Sequence, residues 1–233
     1  RIEEYCHEKG HEFATVKLLK GGDKDDREVI FEIDEGPKVR VTRIKFSGNE
    51  AVSGPVLRTK IRSKTAIAWL VGGLYDPATI PEDIAALKSY YHSLGFFDVE
   101  ITHKEKFNKK KDRVRIQYNI KEGPRFKIRN LVIHGNEVFS EEELRELMKL
   151  VPGEYFNARH LAKDVNAVTN EYDELGRIRA IINASPRFLD EPGIADLVYE
   201  IDEGFVYRIR RIDVVIGGEN PRTKRSVVLN RLL

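Results

Sequence analysis

The hexapeptide EIDEGP at residues 32–37 decides the fold, because it returns twice further along the chain. The second copy is NIKEGP at 119–124 and the third is EIDEGF at 200–205, so that the glycines lie 87 and then 81 residues apart. Self-similarity at a near-constant period is typical of a chain built from repeated structural units. The hexapeptide therefore marks the end of a unit of about 80 residues.

A second motif, at a fixed distance from the hexapeptide, helps to set the unit boundaries. The triplet Gly-Asn-Glu begins twelve residues after each of the first two glycines, at 48–50 and 135–137. We expect two complete units, 38–124 and 125–204. We also expect the C-terminal part of a preceding unit (1–37) and the N-terminal part of a following one (205–233), which would make the chain a fragment of a longer array.

The apolar pattern of each unit predicts the order strand, helix, helix, strand, strand. Good N-cap residues place the start of the first helix at Ser53 or Ser140 and that of the second at Asp76 or Asn157. In every opening strand, including one predicted after residue 205, the alternation slips once, which indicates a bulge. The predicted class is α+β, each unit having a short three-stranded mixed sheet covered on one face by two helices.

Composition excludes several classes of function. The 233 residues include 40 basic and 38 acidic side chains, a formal net charge of +2, whereas dedicated nucleic-acid-binding proteins show a clear basic excess. No apolar run approaches the roughly 20 residues of a membrane-spanning helix. The single cysteine, Cys6, excludes an internal disulfide and a multi-cysteine zinc site.

No set of residues in the sequence predicts a catalytic, cofactor or metal site. The six histidines are scattered, and the closest pair, His7 and His11, lacks a third ligand. The glutamates Glu35, Glu122 and Glu203 recur at the end of each unit, which indicates architecture rather than acid–base chemistry. We therefore predict that the chain is not an enzyme.

The whole pattern resembles the POTRA (polypeptide-transport-associated) domain, the repeated periplasmic module of BamA-type outer-membrane protein assembly factors. The resemblance rests on the element order, the Glu-Gly-Pro junction, the Gly-Asn-Glu triplet and the sequence YHSLGFF at 91–97. It implies a periplasmic binding module, part of an outer-membrane protein, whose partners are unfolded barrel precursors and accessory periplasmic lipoproteins. Alternatives are the arm of a two-partner secretion or chloroplast-envelope pore, or a cell-division scaffold.

We expect the opening and penultimate strands to lie at the two edges of each sheet. Pro186 fits that position in the second unit, because proline is tolerated on an edge strand and not in a central ladder. A free edge can add an extended peptide through main-chain hydrogen bonds. The predicted peptide-binding residues are Val99, Glu100, Ile101, Thr102 and His103 in one unit, and Ala180, Ile181, Ile182 and Asn183 in the other.

Two other segments leave alternatives open. The apolar loop between the helices of the first unit, which contains Ile67, Trp69, Leu70 and Val71, either packs on its own domain or contacts a partner. The basic run at 104–113 is either a solvated hairpin or a contact for anionic membrane headgroups.

Overall fold

The computed structural model describes residues 1–22, 27–66, 73–216, 224–229 and 231. The part before residue 38 contains α1 (Ile2–Glu8), β1 (Thr15–Lys20) and β2 (Ile30–Asp34). The first complete unit contains β3 (Arg40–Ser47), α2 (Gly54–Lys60), α3 (Thr79–Ser93), β4 (Glu100–Phe107) and β5 (Arg113–Lys121). The second repeats that order with β6 (Lys127–His134), α4 (Glu141–Leu147), α5 (Ala158–Glu174), β7 (Ile181–Phe188) and β8 (Ile194–Asp202), and α6 (Arg225–Leu229) follows it.

Each complete unit has a three-stranded mixed sheet. In the first, the central strand β5 is parallel to the opening strand β3 and antiparallel to the penultimate strand β4. In the second, β8 stands between β6 and β7 in the same way. The predicted α+β class is confirmed, and both sheets have the predicted strand order. Before residue 38, β1 and β2 form an antiparallel pair.

The two helices of each unit pack on one face of its sheet. Alternate residues of β5 point to that face, so Val114, Ile116 and Tyr118 are at most 1% exposed. Leu87 and Tyr91 of α3 belong to the same buried cluster. Burial of one such large apolar side chain contributes roughly 1.5–3 kcal/mol, so this face supplies most of the stability of a unit.

Local hydrogen bonds set the starts of the helices. The predicted capping box at Ser140 is present, since its hydroxyl accepts from the amide of Glu143 while the Glu143 carboxylate accepts from the amide of Ser140. Asn157 caps α5 as predicted. The predicted start of the second helix at Asp76 is wrong: α3 begins at Thr79, because the amides of Thr79 and Ile80 donate to the carbonyls three residues before them, which makes a tighter turn ahead of the α-helix.

The opening strands contain the predicted irregularity. Their pairing register shifts between Val41 and Arg43, and between Ile128 and Leu131. The predicted third opening strand is absent, because residues 205–216 form no strand. In the complete units the opening strand bonds to a last strand of the same unit, and the described residues after 205 contain no such strand.

Candidate partner-binding edges of the two sheets

The edge formed by each opening strand is partly closed by the loop that precedes the second helix. The amide of Val41 donates to Gly73 O at 2.7 Å, and Val41 O accepts from the amide of Ala66 at 2.9 Å. In the second unit, the amide of Ile128 donates to Glu154 O at 2.8 Å and Ile128 O accepts from the amide of Gly153 at 2.7 Å. A strand added at this edge would have to displace these bonds.

An arginine from the first helix of each unit occupies a further carbonyl of the same edge. Arg58 Nη2 donates to Ile44 O at 2.6 Å, and Arg145 Nη2 donates to Leu131 O at 2.7 Å. These are equivalent positions of the two repeats. Both opening edges are therefore closed in the same way, and neither presents a continuous row of free backbone groups.

The penultimate strands β4 and β7 form the opposite edges, which are open. Within the described residues, each of these strands pairs on one side only, with β5 and β8 respectively. No loop, helix or side chain of those residues hydrogen-bonds to the outer side of either strand. Each open edge thus presents unpaired N–H and C=O groups to solvent.

The hairpin after β4 determines which of its amides face outward. The amide of Asn108 donates to Arg113 O at 3.0 Å, so this pair is hydrogen-bonded, and bonded and non-bonded pairs then alternate along the ladder. The amide of Thr102 is consequently directed at β5. The amides of Ile101, His103 and Glu105 point to the free side.

Pro186 shows that the same alternation holds in β7. It pairs with Leu197 and has no N–H to donate, which suits a position whose amide would point outward. The amides of Ile182 and Ala184, which lie four and two residues before it, therefore face the free side too. The outer edge of β7 lacks one donor at Pro186, whereas that of β4 is continuous.

The structure brings the predicted edge residues together in two separate groups, one on each sheet. Val99 is buried just before β4, Glu100 begins the strand, and Ile101 is buried, whereas Thr102 and His103 are exposed. In the second unit, Ala180 is half-buried before β7, Ile181 and Asn183 are exposed and Ile182 is buried. Ile67, Trp69, Leu70 and Val71 of the predicted partner loop lie outside the described residues.

Comparison with known families identifies the repeated unit. Residues 39–123 and 126–204 each match the model of POTRA, described as "Surface antigen variable number repeat". The chain belongs to the POTRA family. Its repeats are POTRA units of the BamA superfamily, as expected from the sequence.

Similar proteins carry names from outer-membrane assembly. A candidate outer membrane protein assembly factor of Treponema pallidum is 30% identical over 229 residues, which cover 95% of this chain and 27% of that protein. BamA of Buchnera aphidicola is 25% identical over 216 residues, covering 91% of this chain and 35% of that protein. The chain thus spans about a quarter to a third of the length of these relatives.

A solved structure supports the fold. The crystal structure of POTRA units 3–5 of Haemophilus influenzae BamA superposes with a TM-score of 0.52 at 22% identity, covering 83% of this chain and 76% of that one. Among the described residues, no helix combines the length and apolar character needed to cross a membrane. The same residues contain no cluster of three or more histidine, cysteine or acidic side chains suited to a metal ion.

A buried aspartate on the second helix of each POTRA unit was not recognised in the sequence. Asp83 is 1% exposed and accepts from the amide of Arg62 at 2.6 Å and from Tyr118 Oη at 2.8 Å. Burial and then this hydrogen bond raise the pKa of Tyr118, so the phenol stays a neutral donor. Asp164, fully buried, accepts in turn from the amides of Lys149 and Leu150. Each aspartate holds in place the segment that follows the first helix of its unit. The sequence offered one sign of this role, the recurrence of the aspartate 81 residues further along the chain.

In the two complete units, the glutamate of the Glu-Gly junction holds the Gly-Asn-Glu loop in place, because Glu122 accepts from the amide of Ala51 and Glu203 from that of Glu137. Tyr91 Oη donates to Glu122 Oε1 at 2.8 Å, and Tyr172 Oη donates to Glu203 Oε1 at 2.9 Å. Burial opposes ionisation of Glu203, but hydrogen bonds from the amide of Val138 and other donors outweigh it and lower the pKa of this carboxyl. This geometry is that of a structural joint between two ends of one unit.

The two complete POTRA units, and the segments that precede and follow them, are joined by one recurring hydrogen bond. The carbonyls of Gly10, Gly95 and Gly176 accept from the first residue of the next opening segment, Val39, Phe126 and Tyr207 respectively, each at 2.8 Å. The junction between the complete units also contains an aromatic cluster. In it, the ring centroid of Phe97 lies 5.4 Å from that of Phe126, 5.0 Å from that of Phe156 and 4.9 Å from that of Phe188.

Proposed function

We propose that this chain is the periplasmic POTRA region of a BamA-like outer-membrane protein assembly factor. In this role it binds unfolded outer-membrane protein precursors and accessory periplasmic lipoproteins, and it has no catalytic activity. The names of its relatives and its membership of the POTRA family support a role in outer-membrane protein assembly. The finer proposal, that precursors add as an extra strand at β4 or β7, rests on the asymmetry of the sheet edges.

The observation that carries this proposal is that one edge of each sheet is closed and the other is open. A loop and an arginine bond to the backbone of β3 and β6, while β4 and β7 keep a free side. Main-chain pairing reads little side-chain sequence, which suits a module that receives many clients. Ordering a flexible peptide offsets much of the gain, so the complex should be weak and reversible.

The test removes one outward donor from β4 and leaves the internal ladder intact. His103→Pro deletes an amide that faces the free side, and His103→Ala removes the same side chain but keeps the amide. We expect the proline variant to weaken binding of a barrel-strand peptide several-fold and the alanine variant to bind like the parent. Amide chemical-shift mapping should place the peptide along 100–107.

Two controls keep this experiment interpretable. Thermal unfolding of His103→Pro should show that the unit remains folded, as the natural Pro186 indicates for an outward position on β7. If the peptide shifts only amides of the helices, and none in β4 or β7, strand addition is wrong and the peptide binds in a groove between the helices.

A further inference from the structure

The face of the first sheet that points away from the helices carries three cations in a row. Arg115 of the central strand is paired with Arg43 on one side and Lys106 on the other, and all three side chains are exposed. Like charges placed directly opposite each other on one face of a sheet are destabilising. The arrangement therefore has a cost in the isolated unit.

The next row extends the same positive surface. Gln117 of β5 stands between Lys45 and Lys104, both exposed. Within the described residues, no carboxylate forms an ion pair with any of these five cations. Two shallow neighbouring depressions of about 410 and 330 Å³ lie on this face and share Lys106 and Arg115 in their walls.

The second unit contains the same row in a neutralised form. Asp196 occupies the position equivalent to Arg115 and is 2% exposed beneath two arginines. Arg129 donates to it twice, at 2.9 and 2.7 Å, and Arg187 Nη2 lies 3.5 Å from Asp196 Oδ2. The row of the first unit is thus Arg43–Arg115–Lys106, and that of the second is Arg129–Asp196–Arg187. In the second unit, a carboxylate at the central position neutralises the cations on either side of it.

The cationic rows end at the open edge of β4. Lys104 and Lys106 are on its outer face. The amide of Glu105, between them, and that of His103, just before Lys104, point to the free side. A strand added at this edge would place alternate side chains beside these two lysines, at the roughly 4.5–5.5 Å that separates Cβ atoms across a strand pair. Only an extended polypeptide uses both the free backbone groups and this two-residue repeat of charge.

We propose that β4 of the first unit selects extended segments that carry acidic residues at alternating positions. The inference rests on the proposed strand addition and adds a substrate preference to it. The neutralised second sheet would not share that preference, so the two POTRA units would differ in the segments that they accept. Two opposite-charge cross-strand pairs should together give a preference of roughly twofold to thirtyfold.

The test uses three peptides of equal length. In the first, Glu alternates with Thr or Val; the second has the same composition with its glutamates contiguous; in the third, Ser replaces each Glu of the first. We expect the alternating acidic peptide to bind most tightly, with the preference reduced by added salt. Arg115→Asp, which copies the second unit, should abolish the preference.

A matched variant controls for net charge. Lys88→Glu makes the same change of charge at an exposed site on α3, on the opposite side of the unit, and should keep the preference. If all three peptides bind equally well and His103→Pro weakens each of them, charge selection is overturned and strand addition is retained. Failure of every peptide to bind would overturn both proposals. If the protein sediments with phosphatidylglycerol vesicles, loses this binding in Arg115→Asp and shows no preference among the peptides, the cationic face binds a membrane and the inference is overturned.

Discussion

The carbonyl of Gly95 accepts a hydrogen bond of 2.8 Å from the amide of Phe126, and this bond joins the end of the second helix of one POTRA unit to the residue that precedes β6 of the next. The glycine has φ +93°, a conformation that other residues adopt only with strain. A Cβ at this position would lie 2.9 Å from Phe156 O, which belongs to the next unit. Glycine is therefore needed at position 95 for two reasons: the positive φ at the end of α3 and the close approach of the Phe156 carbonyl.

Replacement of this glycine should weaken the junction as well as the fold. Gly95→Ala combines an unfavourable φ with a contact against backbone, and we expect it to cost about 1–3 kcal/mol in the free energy of unfolding. Gly153→Ala provides the control, since Gly153 has φ +91° and nothing within 4 Å of an added Cβ. A loss no greater at Gly95 than at Gly153, measured by urea denaturation, would show that the close approach does not matter.

The aromatic cluster should restrict rotation between the two complete units. Phe97→Ala removes the ring that contacts three phenylalanines of the next unit, so we expect faster and wider inter-unit motion. Small-angle scattering of the parent should show an elongated particle, and residual dipolar couplings should report one shared alignment for both units. Ile178, the equivalent residue of the second unit, is 62% exposed, so Ile178→Ala should leave these couplings unchanged. Independent alignment of the two units in the parent would contradict the restriction.

The buried aspartates should be necessary for the packing of their units. Asp164→Ala leaves two amides, those of Lys149 and Leu150, without their acceptor in the interior. An unsatisfied buried polar group costs about 1–3 kcal/mol, and two should reduce the unfolding free energy by roughly 2–5 kcal/mol. Asp190→Ala, at an exposed position, should change it by less than about 0.5 kcal/mol. Equal effects of the two substitutions would remove the structural role assigned to Asp164.

Acid should destabilise the second unit through Glu203. Because the pKa of this carboxyl is lower in the folded state than its ordinary value of 4.5, its contribution is complete above that value. The contribution is lost as the pH falls through the folded pKa. Unfolding followed between pH 6 and about pH 3 should therefore show a decline that is shallower in Glu203→Gln, although that variant is less stable at neutral pH. Parallel pH profiles for parent and variant would contradict this account.

The sequence predicted those features that depend on short-range patterns. Element order and the capping box at Ser140 follow from residue types a few positions apart, and the repeats allowed each element to be checked against its copy. The apolar periodicity of the second helix does not reveal Asp83 and Asp164, because that pattern assigns polar positions to the solvent-facing side. The contrast between Arg115 and Asp196 was invisible because it depends on cross-strand register. So were the bonds from Arg58 and Arg145 to the opening strands, which join segments 14 residues apart.

Those two arginines, together with the loop before each second helix, also leave each sheet with a single free edge. A sheet with both edges free could hold one strand on each side and so link chains into open-ended stacks, the route by which β-proteins aggregate. Because the loop and Arg58 or Arg145 occupy the opening edge, growth through a unit would stop after a single addition. If strands add as proposed, an array of such units would hold more client strands only by having more repeats, and a client strand held on one unit would give the next no edge on which to polymerise.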